Sequence, residues 1–88
     1  MLHLPDTLTH DQASVCLREL GQALATEASP AILDASGLTR FDSSALAVLL
    51  ELQRAGARLN KKVLVQGLSD QLLALATLYG VEALLGGA

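Results

Sequence analysis

The sequence predicts a small α/β domain: a mainly parallel sheet with helices packed against it, in the order strand, helix, strand, helix, strand, helix. Three observations carry this. Short apolar runs bounded by turn formers alternate with longer stretches whose apolar residues recur every three or four positions. The connections between them are short, which fits parallel strands joined by right-handed helical crossovers. The chain has 88 residues with no internal repeat or linker, so a single domain over 1–88 is expected.

Leu2-His3-Leu4 reads as a short first strand, closed by Pro5-Asp6 because proline cannot donate to a ladder and Asp favours turns. Thr9 to Gln12 has the spacing of a capping box, with Leu8 and Ala13 at the staple positions around it. The first helix is expected to run to about Ala28. Its buried stripe is Ala13, Cys16, Leu17, Leu20, Ala23 and Leu24, while Arg18, Glu19, Gln22 and Glu27 face water. Ser29-Pro30 ends that region. Ala31-Ile32-Leu33-Asp34-Ala35 is the second strand, an apolar run of the kind buried in a parallel sheet.

Ser36-Gly37 turns the chain, and Leu38 to Phe41 leads into the stretch around which the domain is organised: an acid and two hydroxyls, Asp42-Ser43-Ser44, in front of an apolar helix. Asp42 or Ser43 caps that helix. Its inner stripe is Leu46, Leu49, Leu50 and Gln53. Steps of about 100° put Ser44, Ala47, Val48, Glu51, Arg54 and Arg58 on the opposite side. That side is small and apolar near the hinge and charged beyond it. It is either a docking surface or a face covered by a neighbouring helix of the same domain. After Gly56 the helix ends, Lys61-Lys62 opens the third strand at Val63 to Gly67, and Ser69 caps a third helix. There Leu72, Leu73, Ala76 and Tyr79 form the expected buried stripe, and Gly80 closes the helix in the left-handed conformation. Val81 to Leu85 is a last short strand or turn, and residues 86–88 are expected to fray.

Composition narrows the function. A net charge of −3, one Phe and one Tyr offer neither a basic face nor a stacking platform for nucleic acid. No apolar run approaches the ~20 residues of a spanning helix, and no basic-then-apolar leader opens the chain, so a cytoplasmic location is expected. Catalytic patterns are missing too. Gly-rich phosphate loops, a nucleophile elbow and Cys/His clusters with metal-ligand spacing are all absent. Asp34 at a strand end and Asp42 at a helix start read as structural carboxylates. No enzyme activity, metal or cofactor is therefore expected. Hydrophobic residues make up 51% of the chain, generous for its length, which leaves apolar surface for a partner. A phosphate on Ser44 would be favoured by the helix dipole by ~0.3–1 kcal/mol and would disrupt an apolar face beside it.

The segment Asp34-Ala-Ser-Gly-Leu-Thr-Arg-Phe-Asp42-Ser-Ser-Ala-Leu46 resembles the central signature of STAS domains, the sulfate-transporter and anti-sigma-factor-antagonist fold. Val65-Gln-Gly-Leu-Ser-Asp-Gln-Leu-Leu-Ala-Leu-Ala-Thr-Leu-Tyr-Gly-Val81 resembles the branch that serves phospholipid ABC transporters of Gram-negative bacteria. The resemblance implies a non-catalytic subunit bound to the transporter's cytoplasmic ATPase, and through it to the inner-membrane permease complex. The family's functional hydroxyl falls on Ser43, and the phosphorylated Ser of the sigma-regulating branch falls on Ser44. The site expected for the partner is Asp42, Ser43, Ser44, Ala47, Val48, Glu51 and Arg54. The alternative is an anti-sigma-factor antagonist switched by phosphorylation of Ser44. Ala45, where the family usually has Gly, crowds a kinase approaching Ser44. The family also has one more strand ahead of Leu2, so an open sheet edge and a homodimer of the isolated protein are expected as well.

Overall fold

A computed structural model describes residues 1–85. The strands are β1 (Leu2–His3), β2 (Thr7–Leu8), β3 (Ala31–Asp34), β4 (Arg40–Phe41) and β5 (Val63–Gln66). The helices are α1 (His10–Leu24), α2 (Ser43–Arg58) and α3 (Asp70–Leu78), followed by a 3₁₀ turn at Glu82–Leu84. The α/β class and the parallel pairing match the expectation. β1, β3 and β5 form one parallel sheet in that order, with Leu2 opposite Leu33 and Ile32 opposite Leu64. Both crossovers step the same way along the sheet, so right-handed connections set α1 and α2 on the same face. Toward that face point Ala31, Leu33, Val63 and Val65, all buried, while the alternating Ile32 and Leu64 are half-buried and Gln66 is exposed.

The core is built from leucine. Leu8, Leu24, Leu33, Leu49, Leu52 and Leu72 are completely enclosed, each favoring the fold by about 1.5–3 kcal/mol of transfer free energy. Cys16 is a buried member of the same cluster. Burial pushes its thiol pKa up, and the charge of Glu19 adds to this, so the group stays a neutral apolar filler.

Two strands were not foreseen. β2 and β4 make a separate parallel pair, Thr7 to Arg40 and Leu8 to Phe41. Two residues are too few for a period-2 pattern to register. The pair is reinforced by the Asp6 carbonyl, which accepts from the N–H of Thr39 (2.8 Å), the N–H of Arg40 (3.0 Å) and the Thr39 hydroxyl (3.1 Å). The two chain segments that enter α1 and α2 are thereby held side by side.

Helix α1 stops at Leu24, four residues before the expected end. The Lys61 ammonium explains this: it donates to the carbonyls of Leu24 (3.0 Å) and Ala25 (2.7 Å), closing the C-terminus where the dipole favours a cation. Lys61, read in the sequence only as the opening of the third strand, is thus a helix cap. Gly80 ends α3 at φ +70°, in the left-handed region as expected. Val81–Leu85 resolves as a turn, and the fraying expected at 86–88 lies outside the described residues.

Candidate functional site

Both helix starts depend on Asp42. Its Oδ1 accepts from the N–H of Ser44 at 2.8 Å, the N-cap bond of α2, and its Oδ2 accepts from the N–H of His10 at 3.1 Å, in the first turn of α1. One carboxylate thus serves two positive helix ends. The Ser44 backbone N–H holds the Asp42 carboxyl below the usual carboxylate range, and the His10 N–H works in the same direction. Thr9 begins α1 through its capping box: the Gln12 side chain reaches back to the Thr9 N–H at 3.0 Å. Ser69 caps α3 by accepting from the Leu72 N–H at 3.1 Å. All three helices begin at the same end of the sheet, where the parallel strands finish, and each start is satisfied by the chain's own side chains.

Asp34 is also tied to its own loop. Its Oδ1 accepts from the Ser36 N–H at 2.9 Å, and this bond, helped by the Ser36 side chain and by His3, lowers its pKa. Gly67 presses on the same turn. At φ +76°, a Cβ on it would lie 2.8 Å from Asp34 Oδ1 and 2.9 Å from the Ser36 N, so the β5–α3 loop can pass only as glycine. The two carboxylates therefore shape loops, and neither is poised for proton transfer.

On α2 the expected residues divide. Asp42, Ser43, Ala47 and Arg54 are exposed, and Ser44 and Glu51 are half-buried. Val48 corrects the expectation: at 2% exposure it belongs to the core and cannot meet a partner directly. The buried residues of α2 are Ala45, Leu46, Val48, Leu49, Leu52 and Gly56, a wide arc, because both α1 and the sheet pack on this helix. The Gln53 side chain donates to the Leu85 carbonyl, which ties the residue after the 3₁₀ turn to α2. The true outward stripe is Ser43, Ala47, Arg54, Ala57 and Arg58, turned from the predicted one by less than one residue's step of about 100°. Glu51 and Arg54 pair within the helix at 2.7 Å; an exposed pair of this kind is worth about 0.3–0.5 kcal/mol. The outward side near the hinge is thus hydroxyl and methyl, and further along it carries arginines.

A second exposed surface was missed. Leu73 and Tyr79, expected in the buried stripe of α3, are 44% and 57% exposed, and Leu78 is 79% exposed. Only Leu72 and Ala76 of α3 are buried. Leu72 and Ala76 lie opposite the exposed Asp70, Gln71 and Thr77, as the spacing predicts, but only this narrow line turns inward, and Leu73 and Tyr79 flank it. The breadth of the apolar arc was itself the available signal.

Among the described residues no group of three His, Cys, Asp or Glu could hold a metal ion, and no helix is long and apolar enough to cross a membrane. A family model described as "Mlab, STAS domain" matches residues 1–86. No curated protein matches the chain.

Proposed function

Because the chain belongs to the STAS domain family, we propose that it is a non-catalytic adaptor subunit of an Mla-type phospholipid ABC transporter, docking on the transporter's ATPase. The observation that carries this is the start of α2. Ser43 and Ala47 stand exposed on a helix otherwise buried over most of its circumference. Behind them Asp42 is fully engaged in capping, so the surface offers shape and hydrogen bonds with no reactive group. Ser43, Ala47 and Arg54 make the contact. Ser44 and Glu51 border it, Asp42 fixes its geometry, and Val48 supports it from below. The ATPase in turn places the subunit at the cytoplasmic face of the inner membrane, beside the permease. There it stabilises or regulates the ATPase while lipid asymmetry of the outer membrane is maintained.

The phosphoswitch reading draws less support. Ser44 is half-buried, its N–H is held by Asp42, and Ala45 behind it is completely enclosed. A kinase would have to open the helix start to reach it.

Co-purification of the tagged protein from its host tests the proposal. The expected result is recovery of a nucleotide-hydrolysing transporter subunit, lost on Ser43→Glu because the new carboxylate would be buried unpaired. Wild-type recovery with Ser43→Glu would place the contact elsewhere. Recovery of a kinase and a sigma-regulating partner, with a phosphate mass shift on Ser44, would replace the proposal.

A further inference from the structure

A groove of about 420 Å³ lies between β1 and α1, lined by His3, Pro5, Val15, Cys16 and Leu20, with Asp11, Gln12 and Glu19 at its rim. Its α1 side carries Asp11, Val15 and Glu19, which steps of about 100° put opposite Leu17 and Leu24, the residues α1 turns to the core. The floor is apolar, and Val15 is left 46% exposed although it faces other apolar groups across the groove. Two carboxylates and no Lys or Arg line it.

Among the described residues, the strand beside the groove is an edge. β1 is the end strand of the order β1-β3-β5. Leu4 donates its N–H to the Asp34 carbonyl at 2.9 Å, toward β3. Backbone groups alternate along a strand, so the N–H and carbonyl of His3 point the other way, to the open side. The groove therefore offers a strand edge, an apolar floor and a negative rim together.

The geometry points to an extended peptide segment of a partner protein that adds to β1 and lies in this groove, with apolar and basic side chains following one another along the side it turns to α1. Its backbone pairs with His3, its apolar side chains fill the space over Val15, Cys16 and Leu20, and its Lys or Arg side chains meet Asp11 and Glu19. An anionic lipid headgroup would meet the same carboxylates and be repelled. This surface is separate from the α2 stripe and does not depend on the adaptor reading.

The test uses the full chain, labelled with ¹⁵N, and a capped ten-residue peptide whose every second residue is threonine and whose remaining positions, all on one side of the strand, take valine and lysine in turn. Its counterpart has glutamate in place of lysine. Expected are amide shifts at His3, Val15 and Leu20 with the lysine peptide, and at least tenfold weaker binding of the glutamate peptide. Glu19→Lys should weaken the lysine peptide at least fivefold, and Val15→Asn, which removes the apolar contact without adding charge, should do the same. Both positions are exposed, and an unchanged amide spectrum elsewhere checks the fold. Four results would overturn the proposal. The first is equal binding of the two peptides, and the second is no binding up to about 1 mM. The third is perturbation centred on Ser43 and Ala47 or on Leu73 and Leu78. The fourth is movement of the groove resonances with protein concentration alone, or with dodecylphosphocholine micelles, which would give the groove to a second copy or to lipid.

Discussion

Neighbouring residues at the start of α2 should respond in opposite ways. Val48 is enclosed and Ala47 faces out. Val48→Ala removes two buried methyl groups, each worth about 0.8 kcal/mol of transfer, and leaves a cavity that raises the loss to about 2–3 kcal/mol. For a domain this small, each kcal/mol moves Tm by about 4–8 °C, so a drop of roughly 10–20 °C is expected. Any weakening of the partner complex should then follow the loss of folded protein. Ala47→Arg changes an exposed helix position and should shift stability by no more than about 0.5 kcal/mol. Yet it puts a long charged side chain into the proposed contact and should abolish co-purification. Thermal unfolding followed by helical circular dichroism measures the first effect, and retention of the ATPase on the tagged variant measures the second. A Val48→Ala variant with unchanged Tm, or an Ala47→Arg variant that still retains its partner, would refute the division of α2 into a supporting and a contacting face.

Gly67→Ala should cost about 2–4 kcal/mol, combining left-handed strain with contact against Asp34 and Ser36; a loss under about 0.5 kcal/mol in urea unfolding would mean that the loops separate easily. Lys61→Ala leaves the C-terminal carbonyls of α1 to water and should destabilise by about 0.5–1.5 kcal/mol, with faster hydrogen exchange in the last turn of α1 as the local readout. Acid should unfold the chain partly through Asp34 and Asp42. Both have folded pKa values below their ordinary 3.8, so the folded state binds their protons less readily than the unfolded state. The stability they confer is present above that ordinary value and is lost as pH falls through the folded values. Asp42→Asn should therefore flatten the acid limb of the stability curve below about pH 4, and an acid limb of wild-type slope would show that the cap bonds do not act this way.

Long, strongly patterned elements were legible in the sequence. The strand at Ala31 and the helix opened by Thr9 and Gln12 carry both their period and their boundary chemistry within a few residues. Asp42 was legible as a cap for the same reason, although its second bond, to His10, joins residues far apart in sequence. Lys61 as the cap of α1 was hidden by that same distance. Val48 was misplaced because α2 is apolar over more than half its circumference, so the buried arc could be turned by most of a residue step without breaking the pattern. On α3, Leu73 and Tyr79 were misplaced because Asp70, Gln71 and Thr77 mark one side only, leaving an apolar arc wider than the line that is buried. The β2–β4 pair was invisible to periodicity and is fixed by the Asp6 carbonyl. The hinge that positions the candidate site thus rests on long-range hydrogen bonds, whereas the residues presented at it were readable.

Photo-crosslinking in the host from a benzoylphenylalanine placed at position 47 tests the docking surface most directly, with positions 15 and 78 as comparisons. The account predicts an adduct from position 47 to the transporter ATPase. An adduct to that ATPase from position 15 or 78, with none from position 47, would contradict it.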